Sequence, residues 1–323
     1  MRKKFCIILI SNFLLFSLCF GKTFRKYDMS GGLSHNSVLC LTQTHDGLIM
    51  IGTSDGLCSF NGINYTVYKQ NFDDKNSISN NQINCLFEAD NGDLWIGTTL
   101  GLNRYQHNKD VFEKYFFRTD GKGLSHNYIR SIIETTDNKI LIGSPSGIDL
   151  YDPSTNSFKK VLIHNTKTPN ENSVTCFFKD SKNKIWVGTR AGLNLYKDGE
   201  LNRVSLSMNQ NIGVNKFEIR DIKEDSDGKI WVATEEQGIF SFTIQSDRLE
   251  LSDKYNVNNS KLVSNHVRKI YFCKNEVWFG TMEGLSILNQ TDKTFSGYQY
   301  AANNPEGISN NSIRDIFGDD QSL

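Results

Sequence analysis

The sequence lacks several features that would assign it to a common class of protein. It has four prolines in 323 residues and no low-complexity segment, so no flexible linker between domains is predicted. Its formal net charge is zero and no basic run follows the extreme N-terminus, which argues against nucleic acid as a partner. No second apolar run long enough to span a membrane follows the first 21 residues.

Motifs for metal binding and catalysis are also missing. There is no Cys-x-x-Cys pair, no His-Glu-x-x-His, no Gly-x-Ser-x-Gly and no phosphate-binding loop, so we predict no metal, no cofactor and no catalytic residue. Three histidines recur in a Ser-His-Asn or Ser-Asn-His loop, where we expect them to bond the local turn. The six histidines are His35, His45, His107, His126, His164 and His266.

The cysteines do not suggest a disulfide framework. Five follow the N-terminal apolar segment, and three of these share one position of a repeat described below. An odd number at a position that suits a small apolar side chain predicts buried free thiols. The five are Cys40, Cys58, Cys85, Cys176 and Cys273.

One pattern recurs along the whole chain. The segment DNGDLWIGTTLGL, Asp90 to Leu102, has five relatives, and its glycine at position 97 serves as the reference for aligning them. The spacings between successive reference residues are 45, 46, 45, 45 and 47, a period that indicates one supersecondary unit per repeat. The reference residues are Gly52, Gly97, Gly143, Gly188, Ala233 and Gly280.

Each repeat has the pattern of four short antiparallel strands. A Gly or Asn five residues before the reference tolerates a positive φ and marks a hairpin turn, and a second glycine after the reference marks another. The apolar run between these turns is rich in β-branched residues and predicts a buried strand. Two residues before the reference it carries a large side chain: Met50, Trp95, Leu141, Trp186, Trp231 or Trp278.

Six such units predict an all-β fold, a β-propeller of four-stranded antiparallel blades closed around a channel, over residues 22–323. An open solenoid is the alternative. Lys22 to Asn36 resembles an outer strand followed by the loop into an inner strand, and this outer strand would pair with the last blade and so close the ring. From about residue 308, ISNNSIRDIFGDDQSL repeats the start of a blade. We therefore expect six complete blades, part of a seventh, and a chain that is a fragment of a longer protein.

The first 21 residues resemble a secretory signal peptide. Arg2, Lys3 and Lys4 precede an apolar run from Phe5 to Phe20, and small residues follow it, so we expect cleavage after Gly21. A retained membrane anchor is the alternative, although 16 apolar residues are short for a span. A lipoprotein site at Cys19 is disfavoured by the bulky Leu18.

The repeat resembles a known family. The combination of Leu-Ser-x-Asn-x-Val/Ile, an acidic turn with glycine, and Trp-Ile-Gly-Thr-x-x-Gly-Leu is similar to the two-component regulator propeller repeat. It is clear in Leu33 to Leu57, Ile78 to Leu102 and Leu124 to Ile148, and looser in the later copies. The resemblance implies the periplasmic sensor region of a hybrid two-component regulator of Bacteroidetes, which senses glycan breakdown products and controls polysaccharide-utilisation genes. The kinase part is absent from this chain.

We expect the ligand site at one mouth of the channel. One step after the first apolar residue of the inner strands stand Asn84, Arg130, Thr175, Arg220, Arg268 and Arg314. A ring of guanidinium groups could bind an acidic sugar or another carboxylate. Alternatively, each arginine pairs with a nearby acid such as Asp221, Asp315 or Glu283 and ties blades together. Arg190, Glu235, Glu236 and Glu283 in the short turns are further candidates.

Three functions follow from this sequence. The first is a sensor that binds an oligosaccharide or other small ligand and acts on further propeller and kinase domains of the same longer protein, with a homodimer as another expected partner state. The second is an exported lyase-like enzyme, which would need a histidine and an acid facing the channel. The third is an exported scaffold that binds proteins.

Overall fold

The computed structural model describes residues 22–318, except residue 108 and residues 164–167, 205–215 and 246–247. The predicted signal peptide and the last five residues lie outside this part of the chain. Within it, the structure is an all-β propeller of six four-stranded antiparallel blades, as the sequence predicted. The helical elements are one turn of 3-10 helix at Met29–Gly31 and a short α-helix at Pro169–Asn172.

The blades follow one another along the chain, and each runs from an inner strand to an outer strand. Blade one consists of Val38–Gln43, Ile49–Thr53, Gly56–Phe60 and Tyr65–Tyr68. Blade two consists of Ile83–Glu88, Leu94–Thr98, Gly101–Gln106 and Val111–Tyr115. Blade three consists of Ser131–Glu134, Ile140–Ser144, Gly147–Asp152 and Ser157–Lys160.

The second half of the ring has the same organisation. Blade four consists of Val174–Lys179, Ile185–Thr189, Gly192–Lys197 and Glu200–Arg203, with Leu162–Ile163 added in parallel outside the last strand. Blade five consists of Ile219–Glu224, Ile230–Thr234, Ile239–Gln245 and Arg248–Tyr255. Blade six consists of Val267–Cys273, Glu276–Thr281, Leu285–Asn289 and Phe295–Tyr298.

The first hairpin of each blade turns where the sequence predicted it, with one exception. Five of the six predicted turn residues have a positive φ, which only glycine and, at some cost, asparagine adopt readily. In blade six the positive φ of 52° belongs to Lys274 and not to the predicted Asn275, because a tighter turn joins Cys273 to Glu276 there. The other five are Gly47, Gly92, Asn138, Asn183 and Gly228.

The reference glycines are required by the close approach of two inner strands. Gly97 lies opposite Cys85 of its own blade, and a Cβ atom on Gly97 would lie 2.4 Å from the Cys85 sulfur. The same atom would lie 2.7 Å from Ile129 Cγ2 of the next blade. Because neither distance allows a methyl group, the glycine sets how closely consecutive blades pack.

Consecutive blades are joined by the large apolar residue two positions before the reference, which we call the wedge residue. Trp95 of blade two packs with Ile132, Ile140, Ile142 and Tyr151 of blade three, and its ring centroid lies 5.3 Å from that of Tyr151. The same four positions enclose the wedge residue at every junction between complete blades. The other wedge residues in these junctions are Met50, Leu141, Trp186 and Trp231.

The residue opposite each reference position lines the central channel, and we call this the waist position. Three of its side chains accept a backbone N–H from the inner strand of the next blade. Ser131 Oγ accepts from Phe177 at 3.0 Å, and Asp221 Oδ2 accepts from Ile270 at 2.9 Å. The waist residues are Cys40, Cys85, Ser131, Cys176, Asp221 and Lys269, with Asp315 at the seventh position. The five cysteines of the described chain are free, as predicted, and all of them except the half-buried Cys85 are buried.

Residues 308–318 occupy the seventh position of the ring as an inner segment. Ile313 Cγ2 lies 2.8 Å from where a Cβ on Gly280 would be, which matches the contact of Ile129 with Gly97. Asp315 joins the two sides, because its Oδ2 accepts from the Leu41 backbone N–H at 2.9 Å and its Oδ1 lies 2.9 Å from Lys269 Nζ. The ring therefore closes through one carboxylate that contacts both blade six and blade one.

The expected outer strand at the N-terminus is not formed. Residues 22–28 have no strand pairing, although the Phe24 N–H donates to Glu306 O at 2.9 Å and the Phe24 ring lies 5.5 Å from the Tyr298 ring. An outer strand needs a neighbouring third strand, and no described residue supplies one at the seventh position. The segment instead packs across the outside of the gap between blades six and one.

Replacing Gly97 with alanine tests the close approach of the blades. We expect Gly97→Ala to destabilise the protein by about 1–3 kcal/mol because the added methyl group overpacks the junction. The measurement is the urea midpoint of unfolding. Gly31→Ala is the matched control, since a Cβ there meets nothing within 4 Å, and it should change stability by less than about 0.5 kcal/mol. Equal midpoints for the two variants would contradict the assigned role.

Asp315 can be tested by separating its charge from its hydrogen bond. Burial alone would lower the pKa of Lys269, but Asp221 and Asp315 raise it above its usual value, so the ammonium form is stabilised in the fold. We expect Asp315→Ala to cost about 2–3 kcal/mol, less than the loss of a fully buried partner because Asp221 remains. Asp315→Asn keeps an acceptor for Leu41 and should cost less. Thermal unfolding of both variants at neutral pH measures the difference, and equal losses would show that the backbone bond contributes nothing.

Candidate ligand site in the central channel

The channel opens into a cavity of about 740 Å³ that is lined by inner-strand residues from all seven ring positions. This volume lies within the range typical of small-molecule sites. Eight lysine and arginine residues line the cavity against three aspartate and glutamate residues. The cavity therefore carries a positive charge although the whole chain is neutral.

The predicted arginine ring is brought together at this cavity. The relevant position is the one immediately before the waist. At this position the strand register shifts in blades two, four, five and six. All six predicted residues of this ring line the cavity, and Arg190 from a short turn joins them: Asn84, Arg130, Thr175, Arg220, Arg268, Arg314 and Arg190.

Glu283 lies elsewhere. Its side chain is exposed and is not among the residues that line the channel cavity. Its backbone N–H donates to Thr281 Oγ1 at 3.1 Å, and its carbonyl accepts from Gln299 Nε2 at 2.9 Å, so it is a residue of the outer turn. The structure thus does not bring Glu283 to the arginine ring.

Two of the arginines have carboxylate partners. Arg220 is bonded through Nε to Glu235 and lies 3.4 Å from Glu218, while Arg190 Nε lies 3.7 Å from Glu218. The sequence suggested Asp221, Asp315 and Glu283 as the pairing acids. The structure places Asp221 and Asp315 at the waist, where they bond backbone N–H groups, and Glu218 and Glu235 take the pairing role.

Arg130 has a different environment. Its Nη1 donates to Ser173 Oγ at 2.8 Å and to the Val174 carbonyl at 3.2 Å, and its guanidinium carbon lies 5.5 Å from the centre of the Tyr128 ring. It forms no ion pair with any residue that the structure describes. Burial and the nearby Arg190 lower its pKa, and Tyr128 and Glu218 offset this only in part.

Arg268 is the least satisfied member of the ring. Its Nε is buried and has no hydrogen-bond partner in the described chain. Its pKa is lowered by burial and by the neighbouring guanidinium groups of Arg314 and Arg220. A buried donor without an acceptor costs free energy that a bound acceptor would recover.

Two residues that line this cavity were missed from the sequence. Glu218 precedes the first apolar residue of its inner strand and pairs with two arginines, and Tyr128 occupies the same position in blade three. His266 holds that position in blade six but does not line the cavity. Its Nδ1 lies 3.6 Å from Glu235 and accepts no turn N–H, so the predicted turn bond is not formed there. The sequence clue to these residues was their shared position, one residue before the first apolar residue of an inner strand. Only the loop conformation shows that this position turns toward the channel.

The other predicted histidine roles can be compared with the geometry. His35 Nδ1 accepts the Ser37 N–H at 2.9 Å, and His126 Nδ1 accepts the Tyr128 N–H at 2.8 Å, which confirms the expected turn bonding at both sites. No described histidine lines the channel cavity.

No cluster of three potential metal ligands occurs among the described residues. Likewise, the part of the chain with assigned positions contains no helix of the length and apolarity that a membrane crossing needs.

Some of these repeats match the sequence model of a known family. The model of the two component regulator propeller matches residues 32–55, 77–99, 168–191 and 215–236. The chain carries two component regulator propeller repeats. The matched repeats are those of blades one, two, four and five, whereas the sequence had suggested the first three as the clearest. Blade three has Leu141 in place of the wedge tryptophan and Ser144 in place of the threonine.

Solved structures with this propeller fold include extracellular regions of signalling proteins. The extracellular domain of the putative hybrid two component system BT3049 from B. thetaiotaomicron has a TM-score of 0.73 and 22% identity over 93% of this chain and 39% of its own. That of BT4673 has a TM-score of 0.72 and 21% identity over 93% of this chain and 37% of its own. The propeller repeats described here thus span less than two fifths of either structure.

The same fold also occurs in an enzyme. A streptogramin B lyase structure has a TM-score of 0.62 and 16% identity over 85% of this chain and 87% of its own. At these identities the similarity establishes the propeller fold alone. No curated protein matches the chain.

Proposed function

We propose that this propeller is the exported, periplasmic ligand-sensing module of a hybrid two-component regulator. Its repeats are those of the two component regulator propeller, and extracellular domains of two such systems share its fold. Ligand occupancy would be passed to further propeller and kinase domains of the same longer protein. The lyase alternative has less support, because no described histidine faces the cavity to provide an acid or base.

The proposed ligand is an acidic oligosaccharide, such as a uronic-acid-containing product of glycan breakdown, bound in the channel cavity. The observation that carries this is the buried Nε of Arg268, which has no acceptor although it borders a positively charged cavity. A carboxylate can accept from a guanidinium group through two parallel bonds, and such pairs are strong where water is excluded. The cavity volume of about 740 Å³ accommodates a ligand of two or three sugar rings.

The unequal pairing of the arginines suggests how the ligand is oriented. Arg220 and Arg190 are already held by Glu218 and Glu235, so they shape the wall and contribute little free charge. Arg130, Arg268 and Arg314 form no ion pair with described residues and are the groups that would contact carboxylates. Tyr128, beside Arg130, offers an aromatic face on which an apolar sugar face can stack.

Titration calorimetry with acidic and neutral oligosaccharides of equal length tests this proposal. We expect a uronic acid di- or trisaccharide to bind and the neutral counterpart to bind at least about tenfold more weakly, since the unpaired guanidinium groups gain little from a hydroxyl. Arg268→Gln should reduce affinity for the acidic ligand about tenfold or more. Arg118→Gln is the control, because Arg118 is exposed and paired with Asp120 outside the channel.

Two results would contradict the proposal. One is equal affinity for acidic and neutral oligosaccharides, which would show that the arginines do not select the ligand. The other is acidic-ligand binding that Arg268→Gln and Arg118→Gln reduce equally, which would place the site outside the channel. Raising the ionic strength should weaken the contribution of the exposed Arg314 more than that of the half-buried Arg268, whose Nε is buried.

A further inference from the structure

A histidine and a glutamate face each other beside the channel cavity, at the junction of blades five and six. His266 Nδ1 lies 3.6 Å from Glu235 Oε1. The Nδ1 atom is buried and has no hydrogen-bond partner among the described residues, although the His266 side chain as a whole is 40% exposed. A ring nitrogen in this position can donate to the carboxylate only when it carries a proton.

The pair occupies the same two positions as an ion pair of the preceding junction. There, Arg190 in the short turn of blade four lies 3.7 Å from Glu218 of blade five. Glu235 is the first residue of the short turn of blade five, as Arg190 is in blade four. His266 precedes the first apolar residue of its inner strand, as Glu218 does. The repeat therefore places an acid and a base at both junctions, and in the second the base is a histidine, whose charge depends on pH.

Glu235 connects this histidine to the arginine ring. Its Oε2 accepts from Arg220 Nε, while its Oε1 faces His266. The pKa of Arg268 is lowered by burial first, and then by Arg314 and Arg220, and Glu235 acts in the opposite direction. One carboxylate thus compensates two arginines of the proposed ligand site and also faces the histidine.

Charged side chains surround His266 on two blades. Blade five provides Glu235 with its partner Arg220, and blade six provides Arg268, two residues after His266. Among the described residues, Glu235 is the carboxylate within 4.0 Å of a His266 ring nitrogen. The remaining acids are Glu218, which pairs with Arg220 and Arg190, and the exposed Glu236 and Glu283 of the short turns.

We propose that His266 is a proton switch that raises the affinity of the channel for its acidic ligand as the pH falls. With a second ring proton, which histidine takes up near about pH 6.5, Nδ1–H donates to Glu235. The carboxylate is then shared, so it holds Arg220 less tightly, and the imidazolium adds positive charge beside Arg268. Both changes favour a bound carboxylate. This inference rests on the function proposed above.

The sign of the effect follows from linkage between the proton and the ligand. A ligand carboxylate compensates the added charge, so it binds the protonated protein more tightly, and its binding takes up protons to the same extent. The sugar carboxylate itself stays ionised above about pH 5. We therefore expect affinity for a uronic acid trisaccharide to rise about three- to tenfold between about pH 7.5 and about pH 5.5.

Nuclear magnetic resonance of the ligand-free protein tests the switch without the ligand. The probe is the Nε–H group of Arg220 in protein labelled with ¹⁵N-arginine, because this group donates to Glu235, and Arg220→Gln identifies its resonance. We expect its proton chemical shift to change between about pH 7.5 and about pH 5.5, and this change to be lost in His266→Gln.

His45→Gln is the matched control. His45 also faces a carboxylate, with its Nδ1 2.8 Å from Glu88 Oε2, but Glu88 ends its inner strand whereas the arginine ring lies near the start of the inner strands. The variant removes a histidine–carboxylate pair outside the channel mouth. The Arg220 resonance of His45→Gln should therefore follow pH as in the unmodified protein.

Titration calorimetry in buffers of different ionisation enthalpy measures the protons taken up with the uronic acid trisaccharide. We expect about 0.3–0.5 proton per ligand at about pH 6.5 for the unmodified protein and for His45→Gln, and a value close to zero for His266→Gln. Glu235→Gln should bind more tightly than the unmodified protein at about pH 7.5, because it frees Arg220, and should gain less on acidification.

Three results would overturn the inference. The first is an Arg220 Nε–H shift that does not respond to pH, or that responds equally in His266→Gln. The second is affinity for the acidic trisaccharide that is the same at both pH values. The third is proton uptake that His266→Gln retains, which would mean that another group titrates. Failure of acidic oligosaccharides to bind at either pH overturns the proposed function instead, and the resonance experiment then decides alone whether His266 and Glu235 form the switch.

Discussion

The insertion of one large side chain from each blade into the next is the contact on which the structure depends. A single four-stranded sheet of about 45 residues cannot bury its own faces, so each blade uses its neighbour as the other half of its core. The wedge residue provides the apolar area and the reference glycine allows the close approach that buries it. Met50 and Leu141 are as fully buried in this slot as Trp95, which shows that the slot accepts aliphatic side chains as well as an aromatic ring.

The same inner strands that pack the blades also assemble the channel. The first apolar residue of each inner strand packs against the preceding blade, and the residue after it lines the channel cavity. Six repeats of this short segment gather four arginines from points far apart in sequence, although the chain has no net charge. A positive cavity in a neutral protein is thus a consequence of the repeat and the closed ring together.

Ring closure at the seventh position uses a polar contact in place of the wedge. Asp315 contacts Lys269 on one side and the Leu41 N–H on the other, and these bonds fix the inner segment at the waist of the channel. Among the described residues, this polar contact therefore closes the ring at its inner strands.

The sequence by itself determined the period, the number of complete blades, five of the six first-hairpin turns and the position that supplies the arginine ring. These features depend on the local strand pattern and on glycine or asparagine at turns. Only the tertiary structure decided which arginines are paired. Glu218 and Glu235 reach Arg220 because the inner strand and the short turn of their blade meet at the channel mouth, and spacing along the chain does not show whether the two side chains point the same way.

The N-terminal segment has the pattern of an outer strand, but a strand forms only beside a partner, and residues 22–28 have none among the described residues. The bond between Asp315 and Leu41 joins residues 274 positions apart, so only the closed ring brings them together.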